Sequence, residues 1–177
     1  MDYEEYEKEC KEIKEENKIF LDMFLNHLKE QNLSEKTISK HYDNVDFYLN
    51  DYMLYEDAHH MQDGVCMIDD FLGYFFIRKC MWSTPATIKS TAASIKKFYK
   101  YMSETDNIQK DDYLHLCEEI KEGVLGNSFS KNYMEVSVFS KIIAFSMYTD
   151  TNLSGENCRI EEMKQQLYLG ICRELGA

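Results

Sequence analysis

The sequence predicts an all-α fold, and three observations carry that prediction. One proline (Pro85) and seven glycines in 177 residues leave little of the turn material a strand-rich fold needs. Apolar residues make up 44% of the chain, enough to bury a core. They recur mostly at three- and four-residue steps, the period of helices that bury one face.

The length suits one domain with a helical appendage. Residues 1–16 are dense in Glu and Lys, with opposite charges four apart at Glu4 and Lys8 and at Glu7 and Lys11, and predict a solvated helical extension. Ile19, Phe20, Met23, Phe24 and Leu28 continue it as an amphipathic helix. Asn32-Leu33-Ser34 breaks the pattern, and Ser34 supplies an N-cap hydroxyl for a second helix. That helix carries Ile38, Tyr42, Val45, Leu49 and Tyr52 on one side and is expected to end near Tyr55.

A third helix is apolar over most of its surface, with Ile68, Phe71, Leu72, Phe75 and Phe76, and starts at Asp69 and Asp70, where the helix dipole favours acids. The fourth has the clearest start: Thr84 as N-cap and Pro85 in the first turn, where a missing N–H costs nothing. Its stripe is Ile88, Ala92, Ile95, Tyr99 and Met102. A helix from about Asp111 to Glu122 follows, supported by Tyr113, Leu116 and Ile120, with a loop at Gly123 and Gly126. Tyr133 to Tyr148 mixes strand-like alternation with helical spacing and is assigned helix; Thr149 to Gly155 reads as a polar loop, and Ile160, Met163, Leu167 and Ile171 as a last helix.

Several kinds of chemistry find no support in the pattern. The loop Gly123-Val124-Leu125-Gly126 has neither glycine-rich nucleotide signature. Glu56, Asp57, His59 and His60 are metal-ligand types, but adjacent histidines diverge and the group reads as a polar helix end. His27, His41 and His115 have no nucleophile elbow beside them. No catalytic residue, metal site or cofactor is expected. The six cysteines (Cys10, Cys66, Cys80, Cys117, Cys158, Cys172) form no C-x-x-C pair and read as reduced core residues. Without a basic, apolar leader or an 18-residue apolar run, the chain is expected to be cytoplasmic, with no membrane partner.

Charge supplies the one distinctive signal. A formal net charge of −12 argues against indiscriminate coating of nucleic acid. Yet Arg78 to Ser103 holds six cations (Arg78, Lys79, Lys89, Lys96, Lys97, Lys100) and no acid. At about 100° per residue, Lys89, Lys96 and Lys100 share one helix face with Lys97 beside it. Ser83, Thr84, Thr87, Ser90 and Ser94 add hydroxyls suited to phosphate contact.

Two segments together carry a family likeness. Phe24-Leu25-Asn26-His27-Leu28, then Leu33-Ser34-Glu35-Lys36-Thr37-Ile38-Ser39-Lys40-His41-Tyr42 and Phe47-Tyr48-Leu49, resemble the opening of the core-binding domain of tyrosine recombinases, the phage integrases. Ser83-Thr84-Pro85-Ala86-Thr87-Ile88-Lys89 with Ile95-Lys96-Lys97-Phe98-Tyr99-Lys100-Tyr101-Met102 resembles that domain's last helix. The resemblance implies an orthogonal four-helix SAM-like bundle at about 17–103, a core-binding-like domain at 17–105, and a helical extension at 106–177. It also implies a half-clamp on duplex DNA, with the second and fourth helices at the major groove. Carried over by position, the contacts are Lys36, Thr37, Lys40 and His41 from one helix and Thr87, Lys89, Ser90, Ser94 and Lys97 from the other; the charge pattern adds Lys96 and Lys100.

The family's catalytic domain has no counterpart here. The arginines are Arg78, Arg159 and Arg173, and no histidine is followed by arginine three positions on. The expected function is therefore a non-catalytic DNA-binding module. An alternative is an acidic protein–protein adaptor, possibly a homodimer, in which ten methionines and thirteen tyrosines furnish the interface. Neither reading requires a small-molecule substrate.

Overall fold

The computed structural model describes residues 2–80 and 82–125. The helices expected beyond Tyr133, the loop at Thr149 to Gly155, and Cys158, Arg159, Cys172 and Arg173 lie outside the described residues. The described regular elements are all helical. None of the described helices is long and apolar enough to cross a membrane.

Helix α1 (Tyr3–Glu30) is continuous through the charged N-terminal stretch. Its buried stripe is Ile13, Asn17, Leu21, Phe24 and Leu28, whereas Ile19 is exposed. The apolar count misplaced this face because a polar residue, Asn17, occupies one of its positions. The Asn17 amide donates to Asn50 Oδ1 (2.9 Å) and to the Leu49 carbonyl (3.4 Å), which satisfies a buried donor. Residues 1–16 are not a free extension: Ile13 is buried, and the Tyr6 hydroxyl donates to the Leu54 carbonyl. The ion pair found there is Lys8 with Glu12 (3.8 Å), rather than Glu4 with Lys8 or Glu7 with Lys11.

Asn32 ends α1 in the left-handed region (φ 54°), which asparagine tolerates. Ser34 then caps α2 (Glu35–Asp46), its hydroxyl accepting from Thr37 N at 3.3 Å. The helix widens into a π-helical turn, Phe47–Tyr52. After a short 3₁₀ turn (Asp63–Val65), α3 (Ile68–Asp70) runs through a second π turn (Phe71–Phe75) into α4 (Phe76–Lys79). The two π turns pack through rings: Tyr48 on Phe71 (centroids 4.8 Å), Tyr52 on Phe71 (4.8 Å) and on Phe75 (4.9 Å).

Helix α5 (Pro85–Glu104) begins with the expected Thr84 cap, completed by a reciprocal bond from Thr84 N to Thr87 Oγ1 (2.8 Å). Its predicted stripe is the buried one: Ile88, Ala92, Ile95, Tyr99 and Met102. Burial raises the Tyr99 and Tyr48 hydroxyls and keeps them protonated, so each donates to a buried carbonyl, Tyr99 to Met61 (2.7 Å) and Tyr48 to Gly64. Gly64 lies where these rings converge; a Cβ there would collide with the Tyr99 hydroxyl and sit 2.8 Å from Met53 Sδ.

Helix α6 (Lys110–Leu125) continues past Gly123, where a loop was expected. It packs on α3 and α5, with Leu116 and Ile120 buried, so the core extends beyond the boundary drawn at 105. Among the four described cysteines, only Cys80 is a core residue. Burial, then the Asp51 charge, pushes its thiol up to about 11, whereas Cys66 is exposed.

Candidate nucleic-acid interface

The expected contact residues fall on α2 and α5, and these two helices pack directly on each other. A ladder of polar contacts pins the crossing. His41 Nδ1 lies 2.9 Å from Ser94 Oγ, Asn44 Nδ2 donates to the same oxygen at 2.9 Å, and Thr91 Oγ1 donates to Asn44 Oδ1 at 3.4 Å. Ser94 Oγ in turn donates to the Ser90 carbonyl (3.0 Å). With the only hydroxyl hydrogen used there, His41 donates from Nδ1, leaving Nε2 as the nitrogen that titrates.

Three of the four hydroxyls expected to meet phosphate make hydrogen bonds within the protein. Ser94 is 0% exposed and bonded between the helices, so no phosphate can reach it. Thr87 Oγ1 is held by the Thr84 backbone and by the Trp82 carbonyl (3.3 Å). Thr37 Oγ1 pairs with Ser34 Oγ at 2.8 Å, within the α2 cap. The Ser90 hydroxyl is buried. Short polar side chains on a helix make local caps and crossings as readily as they face a ligand. Sequence spacing alone does not separate the two uses.

The lysines behave otherwise. Lys36, Lys40, Lys89 and Lys96 are exposed and Lys97 is half-buried. None of these five makes an ion pair with an acid among the described residues. Lys100 does, with Glu104 at 3.6 Å, and so contributes less free charge than expected. The charges of Lys97 on α5 and Lys40 on α2 both act on His41. Burial, then the Lys97 charge, then the Lys40 charge hold its imidazole below the usual range. His41 thus helps to form the crossing and is only half-buried there.

The surface is not wholly free of acids. Glu35 and Asp43 are exposed on α2, and Asp43 accepts from Ser39 Oγ at 3.0 Å.

Two participants were missed from sequence. Asn44 lies three positions after His41 on the same helix face, a spacing that could have suggested the ladder. Trp82, just before the α5 cap, is 62% exposed and edge-on to Phe47 (centroids 6.3 Å). As the chain's single tryptophan beside a helix start it was visible, but nothing in its spacing marked it as exposed.

The other candidates rejected from sequence have structural partners. His60 Nδ1 lies 3.1 Å from Glu16 Oε2 in a loop rather than on a helix, and His27 stacks on Tyr101 (4.1 Å). No cluster of metal-ligand side chains exists among the described residues. No protein-family model, curated protein or solved structure matches the chain.

Proposed function

We propose that the protein is a non-catalytic DNA-binding module whose α2–α5 face rests lysines on the phosphates of a duplex, on a SAM-like bundle of the integrase core-binding type. The observation that carries this reading is that Lys40 and Lys97, on the two helices α2 and α5 that pack on each other, pair with no acid among the described residues. Like charges gathered from two elements cost stability unless something anionic is met there. Lys36, Lys89 and Lys96 extend the face along both helices. In the family resemblance the second and fourth helices, here α2 and α5, are the elements expected to approach the groove. The contacts are to phosphate, so they position the protein and carry little sequence information.

The test is fluorescence anisotropy with a labelled duplex at about 50 mM salt, where phosphate contacts are strongest. The wild type is expected to bind, and the Lys40→Glu/Lys97→Glu variant to lose most of its affinity while keeping its helical circular dichroism. Unchanged binding by a folded variant would overturn the reading.

The adaptor alternative draws on one observation, the exposed Trp82 steadied by Phe47, since large aromatics anchor protein interfaces. It expects a dimer by light scattering that Trp82→Ala dissociates.

A further inference from the structure

A cavity of about 230 Å³ opens where the π turn that ends α2 meets the α3–α4 segment, at the other end of α2 from Lys36 and Lys40. Its walls are aromatic. Tyr55 and Phe75 meet at 69° with centroids 5.4 Å apart, and Tyr52 meets Phe75 at 64°. Rings set at such steep angles form the sides of a box rather than a stack. Tyr74 adds a further wall, and it and Tyr55 are 51% and 49% exposed, so the box opens to solvent.

Its lining is also anionic. Glu56, Asp57 and Asp70 line it against one ammonium, Lys79, a formal −2 with His59 neutral. The protein's own cations already use these rings. Lys79 Nζ sits 5.0 Å from the Tyr55 centroid and donates to the Tyr55 hydroxyl at 3.0 Å. Arg78 Cζ sits 4.7 Å from the Tyr74 centroid. The faces of such rings carry the negative end of their quadrupole and attract cations.

We infer that this box is a binding site for a compact organic cation, an alkylated ammonium group. Among the acids that line it, Asp70 accepts from the Tyr52 hydroxyl at 2.8 Å, while Glu56 and Asp57 pair with no cation among the described residues, so ring faces form the walls and unpaired carboxylates the rim. Aromatic walls suit the apolar, charge-bearing methyl shell of an alkylated nitrogen. A methylated nitrogen has no N–H or a reduced set, and gains from ring faces and from unpaired charge at the rim. Lys79 competes for the Tyr55 ring, so its removal opens the site further. The site is independent of the α2–α5 face and stands whether or not that face binds DNA.

The full-length protein is titrated with choline and, in parallel, with 3,3-dimethylbutan-1-ol, which has the same shape without the charge, while backbone amide shifts are followed by NMR. Choline is expected to shift residues 52–57 and 74–79 saturably and to bind roughly tenfold more tightly than the neutral compound, the size of a cation–π preference. Tyr55→Ala and Tyr74→Ala alter exposed rings and are expected to abolish the response with the fold retained. Lys79→Ala is expected to strengthen it. A peptide bearing trimethyllysine, run as a further arm, distinguishes a side-chain source of the cation from a free one by binding more or less tightly than choline. Equal affinity for the two isosteres, or no saturable shift even with Lys79→Ala, would overturn the inference.

Discussion

The sequence places His41 among the DNA contacts, and the structure shows the same side chain bonding α2 to α5 through Ser94. Helical spacing located it on the correct side of α2. Which neighbour that side meets depends on the crossing of two helices, which spacing does not contain. Its environment gives a pH dependence. Burial, with Lys97 and Lys40, lowers its folded-state value below that of the unfolded chain, so protonation favours unfolding. The contribution of neutral His41 is fully present above about pH 6.5 and declines as the pH falls from there toward the folded-state value. Urea denaturation between about pH 7 and pH 5 is therefore expected to show the wild type losing stability relative to His41→Gln. A stability difference that does not change with pH would contradict this assignment. The serines and threonines follow the same pattern: their positions were clear, but Ser94 and Thr87 are used in packing and capping.

At the scale of elements, caps were readable and helix widenings were not. The Thr84-Pro85 start and the Ser34 start appear where side-chain chemistry demands them. Removing the first capping hydroxyl in Thr84→Ala is expected to cost about 0.5–2 kcal/mol in urea denaturation, with DNA affinity lowered only as the α5 start frays. No measurable loss would mean that the Thr87 bonds alone hold the end. The π turns Phe47–Tyr52 and Phe71–Phe75 escaped notice because one extra residue per turn barely disturbs an apolar count over so short a run. They matter all the same, since they bring Tyr48, Tyr52, Phe71 and Phe75 into one aromatic contact and form one side of the cation box. The α1 face was likewise shifted by a single buried amide, Asn17.

Across the whole molecule, the all-helical character and the acid-free run from Arg78 to Ser103 were evident from composition and order. How α2 supplies further lysines to that run required the packing of two distant segments. With a formal −12 on the chain, the proposed DNA binding depends on orientation, the unpaired lysines of the α2–α5 face being turned to the duplex. Such binding must be local, phosphate-directed and strongly salt-dependent. The most direct test is the slope of the logarithm of the binding constant for a short duplex against the logarithm of salt concentration. With five lysines free of acid partners among the described residues, a slope of about −4 to −5 is expected when all reach phosphates, reduced by about 2 in Lys40→Ala/Lys97→Ala. A slope near zero, or no binding at about 50 mM salt, would contradict it.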